Sequence, residues 1–195
     1  MLFLSHFFCI IKDKFMKNMK IFGLTGTNAA GKGEAAKYLQ KKGFSYFSLS
    51  DVLREEMAVL GIEPTRDNLI KFGNGMRKKF GPNALAIKVK PKLKSKSIVD
   101  SIRNVSEIKE LRKIPGFKLI AVDAPIEVRF ERAVKRNRIG DAVTLKDFIK
   151  KEKKEYSSNP TSQQLLKCMK EADIRIINGT SLADLHKNIK KSLKI

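Results

Sequence analysis

The chain predicts an α/β fold in which a five-stranded parallel sheet carries helices on both faces, and three observations point there. Short apolar runs alternate with longer amphipathic stretches, the order that builds parallel sheets from strand–helix units. A loop holding Gly26 and Gly31 joins the first apolar run to the first amphipathic one. With 195 residues, 42% of them hydrophobic, and no internal repeat or low-complexity linker, the chain is the size of one domain with a continuous core.

Residues 1–18 stand outside this pattern. Residues 2–11 are apolar but too short to span a bilayer, and no positive residue precedes them as a secretory signal requires, so no stable membrane insertion is expected. Met16 and Met19 stand just before the first strand, and the segment reads as an extension from a start assigned too early. A peripheral membrane or partner contact is the alternative. Residues 19–195 form the single domain.

Residues 21–24 are the first strand and 34–39 lie in the first helix; 44–47, rich in aromatics, are the second strand. Ser50 caps a helix with acids in its first turn, Gly61 and Pro64 break it, and 65–80 supply one or two more helices before Gly81-Pro82. Such a helical insertion, about 50–92, commonly builds one wall of a substrate cleft, with a plain connector as the other reading. Lys88, Lys90, Lys92, Lys94 and Lys96 run through a solvated helix end and loop, with phosphate or nucleic-acid contact as the lesser reading. Residues 97–100 are the third strand, followed by a helix over about 107–112; 118–122 are the fourth, followed by a helix through Arg136. The polar loop 137–141, with Arg138 and Gly140, has the character of a short lid over about 136–143. Thr144 opens a charged helix with Asp147 three residues on, Pro160 interrupts, and 163–171 resume helix. Residues 172–177 are the fifth strand, Asn178-Gly179 turns the chain, and Ser181 caps the last helix with Asp184 at its third position.

The chemistry concentrates at Gly26-Thr27-Asn28-Ala29-Ala30-Gly31-Lys32. Two glycines five apart followed by lysine fit the phosphate-binding loop, except that Gly33 stands where serine or threonine is usual. Glycines let backbone N–H groups turn inward around phosphate oxygens, the lysine reaches the terminal phosphates, and the next helix aims its positive end at them. Asp100, at the tip of the third strand, is placed as the acid that holds the water shell of a nucleotide-bound Mg²⁺. Arg103 follows at the carboxyl edge of the sheet, where open α/β sheets bind ligands. Arg129, Arg132 and Arg136 share one helix face, either as ligand groups or as a solvated stripe.

The formal charge of +21 favours polyanions. Lysine outnumbers arginine 31 to 10, spread along the chain with few aromatics beside the basic runs, so an anionic small substrate is preferred to a nucleic-acid surface. Cys9 and Cys168 have no metal or redox spacing and suggest a reducing, cytoplasmic setting. The oligomeric state is left open.

Taken together these motifs resemble the nucleotide-kinase branch of the phosphate-loop proteins. Lys32-Gly33 is similar to adenylate kinases, where the usual hydroxyl is displaced. The stretch 50–54 resembles the segment whose arginine holds the acceptor's phosphate, 100–103 their aspartate-to-arginine stretch without its proline, and Arg132 with Arg136 the arginines that open their lid. A closer likeness, covering nearly everything from Lys20 onward, is to a dephospho-coenzyme-A-kinase-like family with many archaeal members. It rests on 47–77, on 99–108 and on 172–179; the second pair of lid arginines has no clear match apart from Arg138.

The resemblance implies a three-layer P-loop NTPase fold, nucleotide-monophosphate-kinase-like with a short lid, and ATP with Mg²⁺ as cofactors. Nucleotide would be held by Gly26, Thr27, Asn28, Ala29, Ala30, Gly31, Lys32, Gly33, Glu34 and Asn178. Transfer would be carried by Lys32, Arg54, Arg103, Arg132, Arg136 and Asp51, with Asp100 on the metal through water. The expected acceptor is a nucleoside or deoxynucleoside monophosphate, for which Asp51 need only cap a helix; the alternative is the 3′-hydroxyl of dephospho-coenzyme A, whose proton Asp51 could accept. An ATP-binding regulatory or nucleic-acid-associated module with little turnover is the reading from another class.

Overall fold

A computed structural model describes residues 19–137 and 142–195. The extension at 1–18 and the lid residues 138–141, including Arg138, lie outside the described residues. The sheet consists of β1 (Lys20–Thr25), β2 (Ser45–Ser48), β3 (Lys96–Asp100), β4 (Phe117–Asp123) and β5 (Ile174–Ile177), in the order β2-β3-β1-β4-β5. Every pairing is parallel, with Gly23 of β1 opposite Val99 on one side and Leu119 on the other. A central strand enclosed on both faces must be apolar throughout, and all of β1 after Lys20 is buried.

Side chains alternate between two cores. On one face Ile21, Val99 and Leu119 pack with α2 (Leu49–Val59), α3 (Arg66–Phe80), α4 (Ala84–Val89), α5 (Val105–Leu111) and Cys168 of α8 (Leu165–Lys170). On the other, Phe22, Leu24, Ile98, Ile120 and Val122 pack with α1 (Lys32–Lys41) and α9 (Leu182–Leu193). A smaller core joins Ala133 of α6 (Ile126–Arg136) to Phe148 of α7 (Leu145–Lys153). These are the three layers the sequence predicts, with five strands in one sheet.

The differences are local. The cap of α2 is Ser48, whose side chain accepts from Ser50 N, rather than Ser50 itself, because the extended backbone of β2 runs directly into the helix. Residues 65–80 form one helix, capped by Thr65. Thr144 and Ser181 cap α7 and α9 as expected, the latter in a reciprocal box with Asp184. In the alternating lysine run, Lys88, Lys90 and Lys92 pair with Glu56, Glu110 and Glu55. Cys168 is fully buried, and burial pushes its thiol pKa up, as suits a packing residue.

Candidate functional site

The strand order reverses at β1, between β3 and β4, and the crevice at the carboxyl ends of these strands is where such sheets bind ligands. The loop after β1 forms its floor. Gly26 has φ 135° and Gly31 φ 103°, conformations in which a side chain is strained. A Cβ on Gly26 would lie 1.9 Å from Val122 O, and one on Gly31 2.2 Å from Asn178 Nδ2. Gly33 meets nothing within 4 Å, so its lack of a side chain is not a packing requirement.

Loop geometry is enforced from β4 and β5. Thr27 Oγ1 donates to Asp123 Oδ1 (2.5 Å), and Asn178 Nδ2 donates to Ala30 O (2.9 Å). Lys32 Nζ folds back onto the loop, donating to Gly26 O (2.9 Å) and Thr27 O (2.6 Å). Burial, followed by the positive charge of Arg103, lowers its pKa to about 7. Glu34, in the first turn of α1, lines the cleft and pairs with Lys37 (2.8 Å).

A single cleft of about 1220 Å³ runs from this loop to the helical insertion. It is larger than the roughly 300–1,000 Å³ of a pocket for one small ligand. Lys32, Asn28, Gly33, Asp100, Arg132, Arg136 and Asn178 line it, together with Arg54 of α2 and Arg103 just past β3. Asp100 is buried; its Oδ2 accepts from Tyr46 OH (3.0 Å) and its Oδ1 from Ser101 N (2.5 Å), in a turn where Ser101 has φ 65°. Asp100 also disfavours the Tyr46 phenolate, whose pKa burial raises first of all. Arg132 donates to Asn178 O (2.9 Å) and Arg136 to Asn28 Oδ1 (3.4 Å), which brings α6 over the glycine loop. Asp51 does not join them: it pairs with Arg54 (2.8 Å) on the outer turn of α2 and is not among the cleft-lining residues.

The sequence profile of the AAA domain family matches residues 25–150, which cover the loop, the insertion and α6. A UPF0200 protein of Sulfurisphaera tokodaii is 33% identical over 181 residues, spanning 92% of this chain and 98% of that one. The chain belongs to the UPF0200 family. A UPF0200/UPF0201 protein of Archaeoglobus fulgidus is also 33% identical, over 90% of this chain, which spans 55% of that relative's length. Among solved structures, a shikimate kinase from Bacteroides thetaiotaomicron is similar in fold, with TM-score 0.63, 13% identity and coverage of 91% of this chain and 99% of that one. The UPF0200 chain therefore has the fold of P-loop kinases, a nucleotide-binding architecture, and among its described residues no helix is long and apolar enough to cross a membrane.

Several ion pairs in and beside the cleft of this UPF0200 chain join residues that the sequence does not link. Glu155 pairs with Arg66 of α3 and, at 3.3 Å, with Arg103 Nε, so one carboxylate ties the insertion to the β3 tip. Arg77 is 2% exposed and pairs at 2.8 Å with the fully buried Glu107, whose other oxygen accepts from Arg103 N and Asn104 N (3.0 Å each). Arg129 turns inward from its shared face and is buried on Glu152, with Nε on Ala124 O (2.8 Å). No spacing rule links these partners, which lie 23 to 89 positions apart. The one available signal was an acid in an apolar context, Glu107 beside Ile108, which reads equally well as a helix start.

Proposed function

We propose that this chain transfers the γ-phosphoryl group of ATP to a nucleotide-type acceptor, a nucleoside or deoxynucleoside monophosphate. The observation that carries the reading is one continuous cleft lined by Lys32 of the loop, Arg54 of α2 and Arg103 just past β3. A loop held by two positive-φ glycines, whose Cβ atoms would strike Val122 O and Asn178 beneath it, suits polyphosphate, and the carboxylate of Asp100 in the same cleft suits a hydrated Mg²⁺. The ion would neutralise phosphate charge.

An acceptor phosphate oxygen attacks the γ-phosphorus, the bond to the bridging oxygen breaks with its electron pair passing to ADP, and the new P–O bond completes a diphosphate. Such transfer depends on positioning and on charge compensation. Lys32 and the loop amides hold the donor, Arg54 and Arg103 hold the acceptor phosphate, and Arg132 and Arg136, already over the loop, approach the transferring group. A monophosphate acceptor needs no base. Asp51 pairs with Arg54 and is not among the cleft-lining residues, so the monophosphate reading, which needs no base, does not depend on it.

Steady-state kinetics with ATP against nucleoside monophosphates, deoxynucleotides and dephospho-coenzyme A test the reading. Product is expected from a monophosphate, and Lys32→Ala should lower kcat/KM by about 10²–10³. Tight ATP binding with no product from any acceptor would instead identify a nucleotide-binding module.

A further inference from the structure

Gln163 and Gln164 are adjacent and both buried, 7% and 5% exposed, yet the fold uses only one of the two side chains. Gln164 Nε2 donates to Ser158 O (3.0 Å), its Oε1 accepts from Val105 N (3.4 Å), and its backbone N donates to Arg103 O (2.7 Å). Asn104, fully buried, grips the same segment, donating from Nδ2 to Pro160 O (2.6 Å) and Ser162 O (2.8 Å). Ser157 N donates to the Gln163 carbonyl (3.1 Å), so the backbone at this position is held from both directions.

The Gln163 side chain, in contrast, lines the cleft, and its Oε1 is buried with no hydrogen-bond partner among the described residues. A buried polar group left unpaired is costly, because it has given up its water without gaining a partner. The other buried side-chain atoms in that condition among the described residues are Arg66 Nε and Glu155 Oε2, the latter ion-paired to Arg103, and both residues line the same cleft. Leu53, Leu69, Ile70 and Leu85 supply its apolar lining. A carboxamide carried on a held backbone, in a cleft lined also by apolar side chains and by Arg66 and Arg103, suits a ligand with an anionic group and a flat body whose edge sets a hydrogen-bond donor beside an acceptor.

We infer that Gln163 is a specificity-determining residue that hydrogen-bonds the base edge of the acceptor nucleotide. The inference rests on the nucleotide-acceptor reading and names the group that recognises the acceptor's base. An amide can pair bidentately with such an edge, and the complementary contact discriminates strongly against a ligand that lacks it.

Equilibrium titration of the full chain with AMP, GMP, CMP, UMP and ribose 5-phosphate, without turnover, tests it. At least one nucleotide should bind about tenfold or more tightly than ribose 5-phosphate. Gln163→Leu should collapse that ratio while leaving affinity for ribose 5-phosphate and for ATP within about twofold. Should Gln163→Leu fail to fold, as read by thermal unfolding, Gln163→Asn withdraws the same amide by one methylene and should lower the ratio too. An unchanged ratio in the folded variant, or a wild-type protein that does not distinguish nucleotides from ribose 5-phosphate, overturns the inference. Because binding is read at equilibrium, absence of phosphoryl transfer would sink the kinase reading without altering this result.

Discussion

The phosphate loop itself is seven consecutive residues that act largely through backbone groups, whereas another part of the cleft assembles side chains from positions 54, 66, 103, 155 and 163. At the loop, two positive-φ glycines and bonds from Thr27 and Asn178 hold the geometry. At the insertion, charge is held by charge: Glu155 between Arg66 and Arg103, and Glu107 beneath Arg77. The difference teaches that a site for phosphate can be encoded locally, because every residue carries an N–H. A site for a particular acceptor must recruit side chains from distant segments, and the buried carboxylates here keep cationic side chains in place.

The largest expected effect separates the two ends. Arg77→Met leaves Glu107 as a buried unpaired charge and should destabilise the fold by about 3–5 kcal/mol, measured by denaturant unfolding. A loss below about 1 kcal/mol would mean that the buried pair does not organise the insertion. At the loop, Gly26→Ala drives a Cβ against Val122 O and should destabilise by about 1–3 kcal/mol and weaken ATP binding.

A smaller effect is read in pH. Lys32, lowered to about 7, is largely neutral in the free protein above that pH; bound phosphates favour its charged form, so ATP binding takes up a proton. Affinity should therefore fall as pH rises from about 7.5, by up to about tenfold per unit. Calorimetry in buffers of different ionisation enthalpy should detect the uptake, and Lys32→Arg, always charged, should abolish it. The smallest effect is a control: Gly33→Ala has open space and should change stability by less than about 0.5 kcal/mol.

Much of this was legible in the residues themselves. Glycine spacing marked the loop, and the position of Asp100 and Arg103 just past an apolar run put them at the carboxyl edge of the sheet. Arg129, Arg132 and Arg136 shared a face by helical period, but period does not say which residue turns inward, and Arg129 is the one buried on Glu152. The cap on α2 fell two residues earlier than the hydroxyl expected, since any of several serines in that stretch could accept the bond and the end of β2 selected Ser48. Asp51, three residues from Arg54, is open in the sequence between a base for a hydroxyl acceptor and a helix cap, and in the fold the same spacing pairs it with Arg54. Arg66, Glu155 and Gln163 carried no readable pattern, because their partners come from other elements.

By itself the sequence determined the alternation of strands and helices, the parallel sheet and the phosphate loop, since each follows from local periodicity and from the backbone freedom of glycine. Only the tertiary structure decided which arginines among the described residues line the cleft, which are buried on carboxylates, and that Gln163 rather than Gln164 is left unpaired there. Those outcomes depend on desolvation and pairing between segments far apart in the chain, and these take definite form only once the layers have packed.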